Sequence, residues 1–129
     1  MDGRNVVLLA EDDPDQREIL LEVLAFEGYQ VISADGPAQV LQRLTQHPDV
    51  VLLDLCGTAS PEVMQALASA VRKPKVLLVS ADPKLADIAK ELGADGFISK
   101  PYELDDLLRT LSSALEAATA DERCWATAR

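Results

Sequence analysis

Cysteine is scarce: Cys56 and Cys124 are the only two in 129 residues. Two thiols cannot build the framework of a small disulfide-stapled secreted domain. No apolar run reaches the roughly 18 residues needed to span a bilayer. The opening Met1-Asp2-Gly3-Arg4-Asn5 has neither the basic start nor the long apolar stretch of a secretory signal. Basic residues are in deficit, 12 Lys and Arg against 22 Asp and Glu, for a formal net charge of −10. A chain this acidic has no general attraction for nucleic acid or for an anionic membrane. Internal repeats, low-complexity tracts and linker-like stretches are also missing. These absences leave a reduced, cytoplasmic, compact domain as the expectation, with no nucleic acid and no membrane among its partners. With 48% of its residues apolar, the chain is long enough to bury a core as one domain.

What is present is an alternation. Short β-branched or leucine-rich runs occur at Val6–Leu9, Gln30–Ile32, Val50–Leu53, Val76–Val79 and Gly96–Ile98. Most are continuously apolar, as strands buried on both faces should be. Between them lie stripes at helical spacing: Ile19, Leu20, Val23 and Leu24; Val40, Leu41 and Leu44; Val63, Met64, Leu67, Ala68 and Val71; Leu85, Ile88, Ala89 and Leu92; Leu104, Leu107, Leu108, Leu111 and Leu115. Asp13-Pro14 and Ser60-Pro61 read as N-caps followed by proline at the first helical position. Gly28 and Gly93 stand where helix C-caps belong. Five strand–helix alternations imply parallel strands with right-handed crossovers and helices on both faces of an α/β sheet. The expected domain covers residues 4–118. Leucine periodicity fades beyond it, so residues 119–129 are expected to form a flexible C-terminal tail in which Trp125 could dock.

In such a sheet, ligands bind beyond the carboxyl ends of the strands. The residues there are Glu11, Asp12 and Asp13 after the first run, Asp54 after the third, Ser80-Ala81 after the fourth and Lys100-Pro101 after the fifth. Clustered carboxylates repel one another, and a hard divalent cation such as Mg²⁺ relieves the repulsion. It takes one or two carboxylates, keeps waters and often shares a phosphate oxygen. A lysine and a hydroxyl opposite would hold the remaining oxygens of a phosphoryl group. A carboxylate can itself be the nucleophile, giving an aspartyl phosphate, and Asp54 is the most central. Taken singly, each residue also has an ordinary reading. Asp12-Asp13-Pro14 can be a helix cap with dipole-favourable acids, Ser80 a strand-end hydroxyl, Lys100-Pro101 a loop entering a helix, and Phe97 plain core.

Taken together and in order, the chain resembles the receiver domain of two-component response regulators, of the chemotaxis-regulator-like kind. The segments that carry the resemblance are Leu8-Leu9-Ala10-Glu11-Asp12-Asp13, Gly28-Tyr29-Gln30-Val31, Asp49-Val50-Val51-Leu52-Leu53-Asp54-Leu55, Val79-Ser80-Ala81 and Gly93-Ala94-Asp95-Gly96-Phe97-Ile98-Ser99-Lys100-Pro101. It spans Val6 to Leu115. It implies a single doubly wound (βα)5 flavodoxin-like fold with a five-stranded parallel sheet in the order 2-1-3-4-5. It implies that Asp54 is the phospho-acceptor, and that Asp12, Asp13, Asp54 and the backbone carbonyl of Cys56 hold Mg²⁺ or Mn²⁺. Ser80 would be the switch hydroxyl and Phe97 the switch aromatic. Lys100 would pair with the phosphoryl group and be joined to Pro101 by a cis bond. The implied partners are a histidine kinase or histidine phosphotransfer protein upstream and a protein target downstream, with a phosphorylation-dependent homodimer among the output modes. Self-phosphorylation and autodephosphorylation would be its only chemistry, without multiple turnover on a substrate.

The chain departs from the family after the acceptor. Leu55-Cys56-Gly57-Thr58-Ala59-Ser60-Pro61 lacks the usual proline four residues past the aspartate and the Asp-Gly pair that follows. The loops after the third strand and into the fourth helix look trimmed. Cys56 and Asp82 occupy positions that influence dephosphorylation in the family. Cys56 is expected to be half-buried and His47 to lie on the surface. No stretch long enough for a DNA-binding module follows the last apolar stripe, which implies a stand-alone receiver or a fragment of a longer protein. The competing readings are a pseudo-receiver, acting as a phosphorylation-independent interaction module, and an enzyme. The enzyme could be an aspartyl-phosphate phosphatase or a flavodoxin-like cofactor protein. The intact set Asp12, Asp13, Asp54, Ser80 and Lys100 disfavours the pseudo-receiver. The missing Asp-x-Asp after the first strand and the missing glycine-rich loop disfavour the enzymes.

Overall fold

The computed structural model describes residues 5–116 in full, with the last helix traced as Leu104–Ala128. The side chains of the tail expected over 119–129, Trp125 included, lie outside the described residues. Five strands, β1 (Val6–Ala10), β2 (Gln30–Ala34), β3 (Val50–Asp54), β4 (Lys75–Ser80) and β5 (Gly96–Ser99), alternate with α1 (Pro14–Phe26), α2 (Pro37–Arg43), α3 (Pro61–Ser69), α4 (Leu85–Leu92) and α5 (Leu104–Ala128). The sheet is wholly parallel in the order β2-β1-β3-β4-β5, as the resemblance implies.

Strand periodicity divides the core in two. Val7 and Leu9, Val50 and Leu52, Leu77 and Val79, and Ile98 face α1 and α5, where Leu20, Leu24, Leu107 and Leu111 cover them. Leu8 and Ala10, Val51 and Leu53, and Leu78 face α2, α3 and α4, where Val40, Val63, Leu67, Leu85 and Ala89 cover them. All five residues of β3 are buried, which is why Val50–Leu53 reads as unbroken apolar sequence ahead of Asp54.

The helix ends follow their signals. Asp13 caps α1 by accepting from the N–H groups of Asp15 and Gln16, and Ser60 caps α3 by accepting from Val63. Gly93 closes α4 in the left-handed conformation, φ +72°. The third helix ends two residues short of its stripe. Helix α3 stops at Ser69, and Val71 stands fully in solvent, because Pro74 and the entry into β4 leave no room for another turn. His47 is exposed as expected, and Cys56 is exposed rather than half-buried. Among the described residues no helix is long and apolar enough to cross a membrane.

Candidate functional site

The two-residue period of the strands positions the site. Glu11 continues the phase of Val7 and Leu9, Asp54 that of Val50 and Leu52, and Lys100 that of Ile98. All three therefore emerge on the α1/α5 face of the sheet. Register adds proximity: Ala10 pairs with Leu53, so the next residues along, Glu11 and Asp54, lie side by side.

Asp54 and Glu11 are each only 3% exposed. The Lys100 ammonium donates to Asp54 Oδ2 at 2.5 Å and lies 3.9 Å from Glu11 Oε1. The N–H of Cys56 donates to Asp54 Oδ1 at 2.9 Å. Burial, followed by a hydrogen bond shared with the Asp54 carboxyl, pushes Glu11 up to about 7. Burial works against the Lys100 charge, but the hydrogen bond and charge of Asp54, reinforced by Glu11, hold the ammonium above its ordinary pKa. Tyr102 flanks the cluster, its phenol raised by burial and then by the Glu11 charge.

The turn after β3 closes over this cluster. Gly57 has φ +99°, and a Cβ there would stand 2.1 Å from Asp12 Oδ2. The missing side chain is thus the space that the Asp12 carboxylate occupies, beside the turn that carries Cys56. Thr58 is fully buried, and its hydroxyl donates to the backbone carbonyl of Asp54.

The expected residues are distributed as follows. Asp54 and Lys100 are in direct contact, joined across a cis Lys100–Pro101 bond to the start of α5. Asp12 lies at the mouth against Gly57. Asp13 turns its carboxylate to the N-terminus of α1, 2.9 Å from the Asp15 nitrogen, and so takes the capping reading. Ser80 continues the opposite phase of β4. Its hydroxyl accepts from the Asp82 N–H at 3.0 Å, and its carbonyl accepts from the Lys100 N–H at 2.9 Å. Phe97 is 42% exposed on edge strand β5, not core. Sequence reasoning left two residues without a role. Glu11 could have been found by counting the strand phase from Val7. Thr58 carries no comparable signal.

The donor set suits a hard cation. Two buried carboxyls face one ammonium, leaving surplus negative charge, and Asp12 adds a third carboxylate at the mouth. Among the described residues no three His, Cys, Asp or Glu side chains already stand as a metal-holding group.

Comparison with known proteins identifies the family and the fold. The family model described as "Response regulator receiver domain" matches residues 7–112. The transcriptional regulatory protein KdpE of Mycobacterium tuberculosis is 34% identical over 120 residues, covering 89% of this chain and 53% of that protein. CpxR of Escherichia coli, also a transcriptional regulatory protein, is 29% identical over 122 residues, covering 92% and 53%. The chain thus spans about half the length of these curated relatives. Among solved structures, a CheY-like response regulator receiver domain protein from Methanospirillum hungatei superposes with a TM-score of 0.82 at 21% identity, covering 92% of this chain and 99% of that one. The chemotaxis response regulator CheY4 of Vibrio cholerae gives 0.77 at 23%, covering 86% and 98%. These two show the shared fold.

Proposed function

Because the chain belongs to the response regulator receiver family of two-component signalling, we propose that Asp54 accepts a phosphoryl group and that the domain passes this event on through protein contacts. The observation that carries the reading is the convergence of buried Asp54 and Glu11 with Lys100 on one face of the sheet. The donor is a phosphohistidine on a histidine kinase or phosphotransfer protein of the cytoplasm. A carboxylate oxygen of Asp54 forms the new P–O bond as the donor's P–N bond breaks, and the departing imidazole keeps the electron pair.

Mg²⁺ fits a set made of Glu11, Asp12, Asp54 and the Cys56 carbonyl, with Asp13 kept as the α1 cap. When bound, Mg²⁺ neutralises the acidic pocket and screens the phosphoryl oxygens. The protein's own groups do the positioning. The Cys56 N–H fixes the orientation of the Asp54 carboxylate. Lys100 stays protonated and follows the transferred charge, about −1.5 to −2 at neutral pH. Ser80 offers its hydroxyl to the phosphoryl group by releasing the Asp82 N–H, and Phe97 moves inward as that space opens. Couplings of this kind run about 1–3 kcal/mol, enough to shift a population of conformers. Output goes to a protein target, with a phosphorylation-dependent homodimer as one form of it.

The test is intact mass after incubation with acetyl phosphate. One added phosphoryl group, dependent on Mg²⁺ and absent in Asp54→Asn, is the expected outcome. Stoichiometric labelling of the Asn variant would sink the assignment.

A further inference from the structure

Thr58 sits four residues past Asp54 and has no exposed surface. Buried hydroxyls require partners. This one donates to the backbone carbonyl of Asp54 and lies 3.5 Å from that of Ala10. Those carbonyls belong to the last residues of β3 and β1, the acceptor itself and the residue before Glu11. Its one proton goes to Asp54, so the hydroxyl ties the turn to the end of β3 while lying against the end of β1. The turn it closes holds Cys56, whose N–H orients Asp54, and Gly57, whose bare Cα makes room for Asp12. Valine would fill the same volume, so packing alone does not account for the hydroxyl.

Resting on the reading of Asp54 as acceptor and of Glu11 and Asp12 as cation ligands, we infer that Thr58 is a positioning residue for this site. Its hydroxyl sets the height of the Cys56-Gly57 turn above β1 and β3. It thereby sets the aim of the Cys56 N–H and the fit of Asp12 against Gly57. Thr58 touches neither the cation nor the phosphoryl group. It acts through the backbone that does.

Thr58→Val keeps the shape and removes the donor. Three quantities separate positioning from plain stability. They are Mg²⁺ affinity by calorimetry, exchange of the Cys56 amide in Mg²⁺-free protein by NMR, and the phosphorylation rate from acetyl phosphate as Mg²⁺ is raised. In Thr58→Val, Mg²⁺ binding should weaken about tenfold, the scale for losing an outer support of a metal site. The Cys56 amide should exchange several-fold faster. The phosphorylation rate at saturating Mg²⁺ should return to within about twofold of the wild type, because the Asp54 and Lys100 side chains are unchanged and saturating cation offsets the loosened turn. Thr58→Ser should restore all three. If Thr58→Val does not fold, Thr58→Ser against Thr58→Ala makes the same comparison, since both lose the methyl and only serine keeps the hydroxyl. Wild-type Mg²⁺ affinity and Cys56 exchange in the variant lacking the hydroxyl, whatever its melting temperature, overturns this inference alone. A wild-type chain that neither binds Mg²⁺ nor takes a phosphoryl group overturns the functional reading and this inference with it.

Discussion

Gly57→Ala should separate stability from cation binding. The substitution meets two obstacles. At φ +99° an L side chain is strained, at about 1–2 kcal/mol. The new Cβ would also stand 2.1 Å from Asp12 Oδ2, 2.4 Å from its Cγ and 3.0 Å from its Cβ. Asp12 is exposed, so its carboxylate can swing into solvent at a rotamer cost of about 0.5–1 kcal/mol. The sum is about 2 kcal/mol. For a domain of this length that lowers the melting temperature by about 8 °C, measurable by calorimetry in Mg²⁺-free buffer. Mg²⁺ affinity should fall by at least about tenfold, because a ligand has left the site. In an Asp12→Ala background the carboxylate clash is gone and the same change should cost the backbone strain, about 1–2 kcal/mol, together with the residual 3.0 Å Cβ contact, with no further effect on Mg²⁺. If Gly57→Ala binds Mg²⁺ as tightly as the wild type, then the Asp12 carboxylate does not work from the position it holds against Gly57, and the reasoning fails.

Other outcomes follow from the same contacts. Asp13→Ala removes the α1 cap and should cost about 1 kcal/mol in urea unfolding while leaving Mg²⁺ affinity within about twofold. A tenfold loss would return Asp13 to the ligand set. Glu11 is raised from 4.5 to about 7 in the folded state, so its contribution to stability is fully present below pH about 4.5 and is lost as pH climbs through 7. The urea midpoint of Mg²⁺-free protein should therefore carry a falling component across that window, and Glu11→Gln should remove it. Mg²⁺ affinity should rise over the same window as Glu11 gives up its proton. Lys100→Met leaves a buried Asp54 without its ammonium. It should destabilise the Mg²⁺-free protein by about 2 kcal/mol, less than for a fully buried pair because the lysine side chain is 30% exposed. Added Mg²⁺ should restore part of that loss, as thermal melts with and without the ion would report.

Much of this fold is legible in the sequence because parallel strands covered on both sides must be apolar throughout. Val50 to Leu53 can be nothing else once helical stripes flank it. Strand carboxyl ends were harder to place, since Asp54 and Ser80 belong to strands although their chemistry resembles that of loops. Val71 misleads because helical spacing continues in the sequence after the backbone has turned away. Asp12-Asp13 draws the eye as an acidic pair, yet the strand phase assigns Glu11 to the inner face and the cap geometry occupies Asp13. Thr58 could not be read at all. Its importance depends on two carbonyls, one of them 48 residues earlier in the chain, and no local pattern encodes them.

Lys100 enters the site from β5, a strand of four residues that pairs only with β4. Short edge strands open first in local unfolding. A brief fraying there would withdraw the ammonium from Asp54 while the other four strands and most of the core stayed intact. Such a molecule would still look folded by circular dichroism but would have lost the contact between Lys100 and Asp54. The same topology governs biosynthesis. Asp54 and Lys100 are 46 residues apart, so a chain still emerging from the ribosome displays the carboxylate before the ammonium that pairs with it. The Asp54–Lys100 contact is thus a narrower report on the β5 edge than any bulk measure of structure.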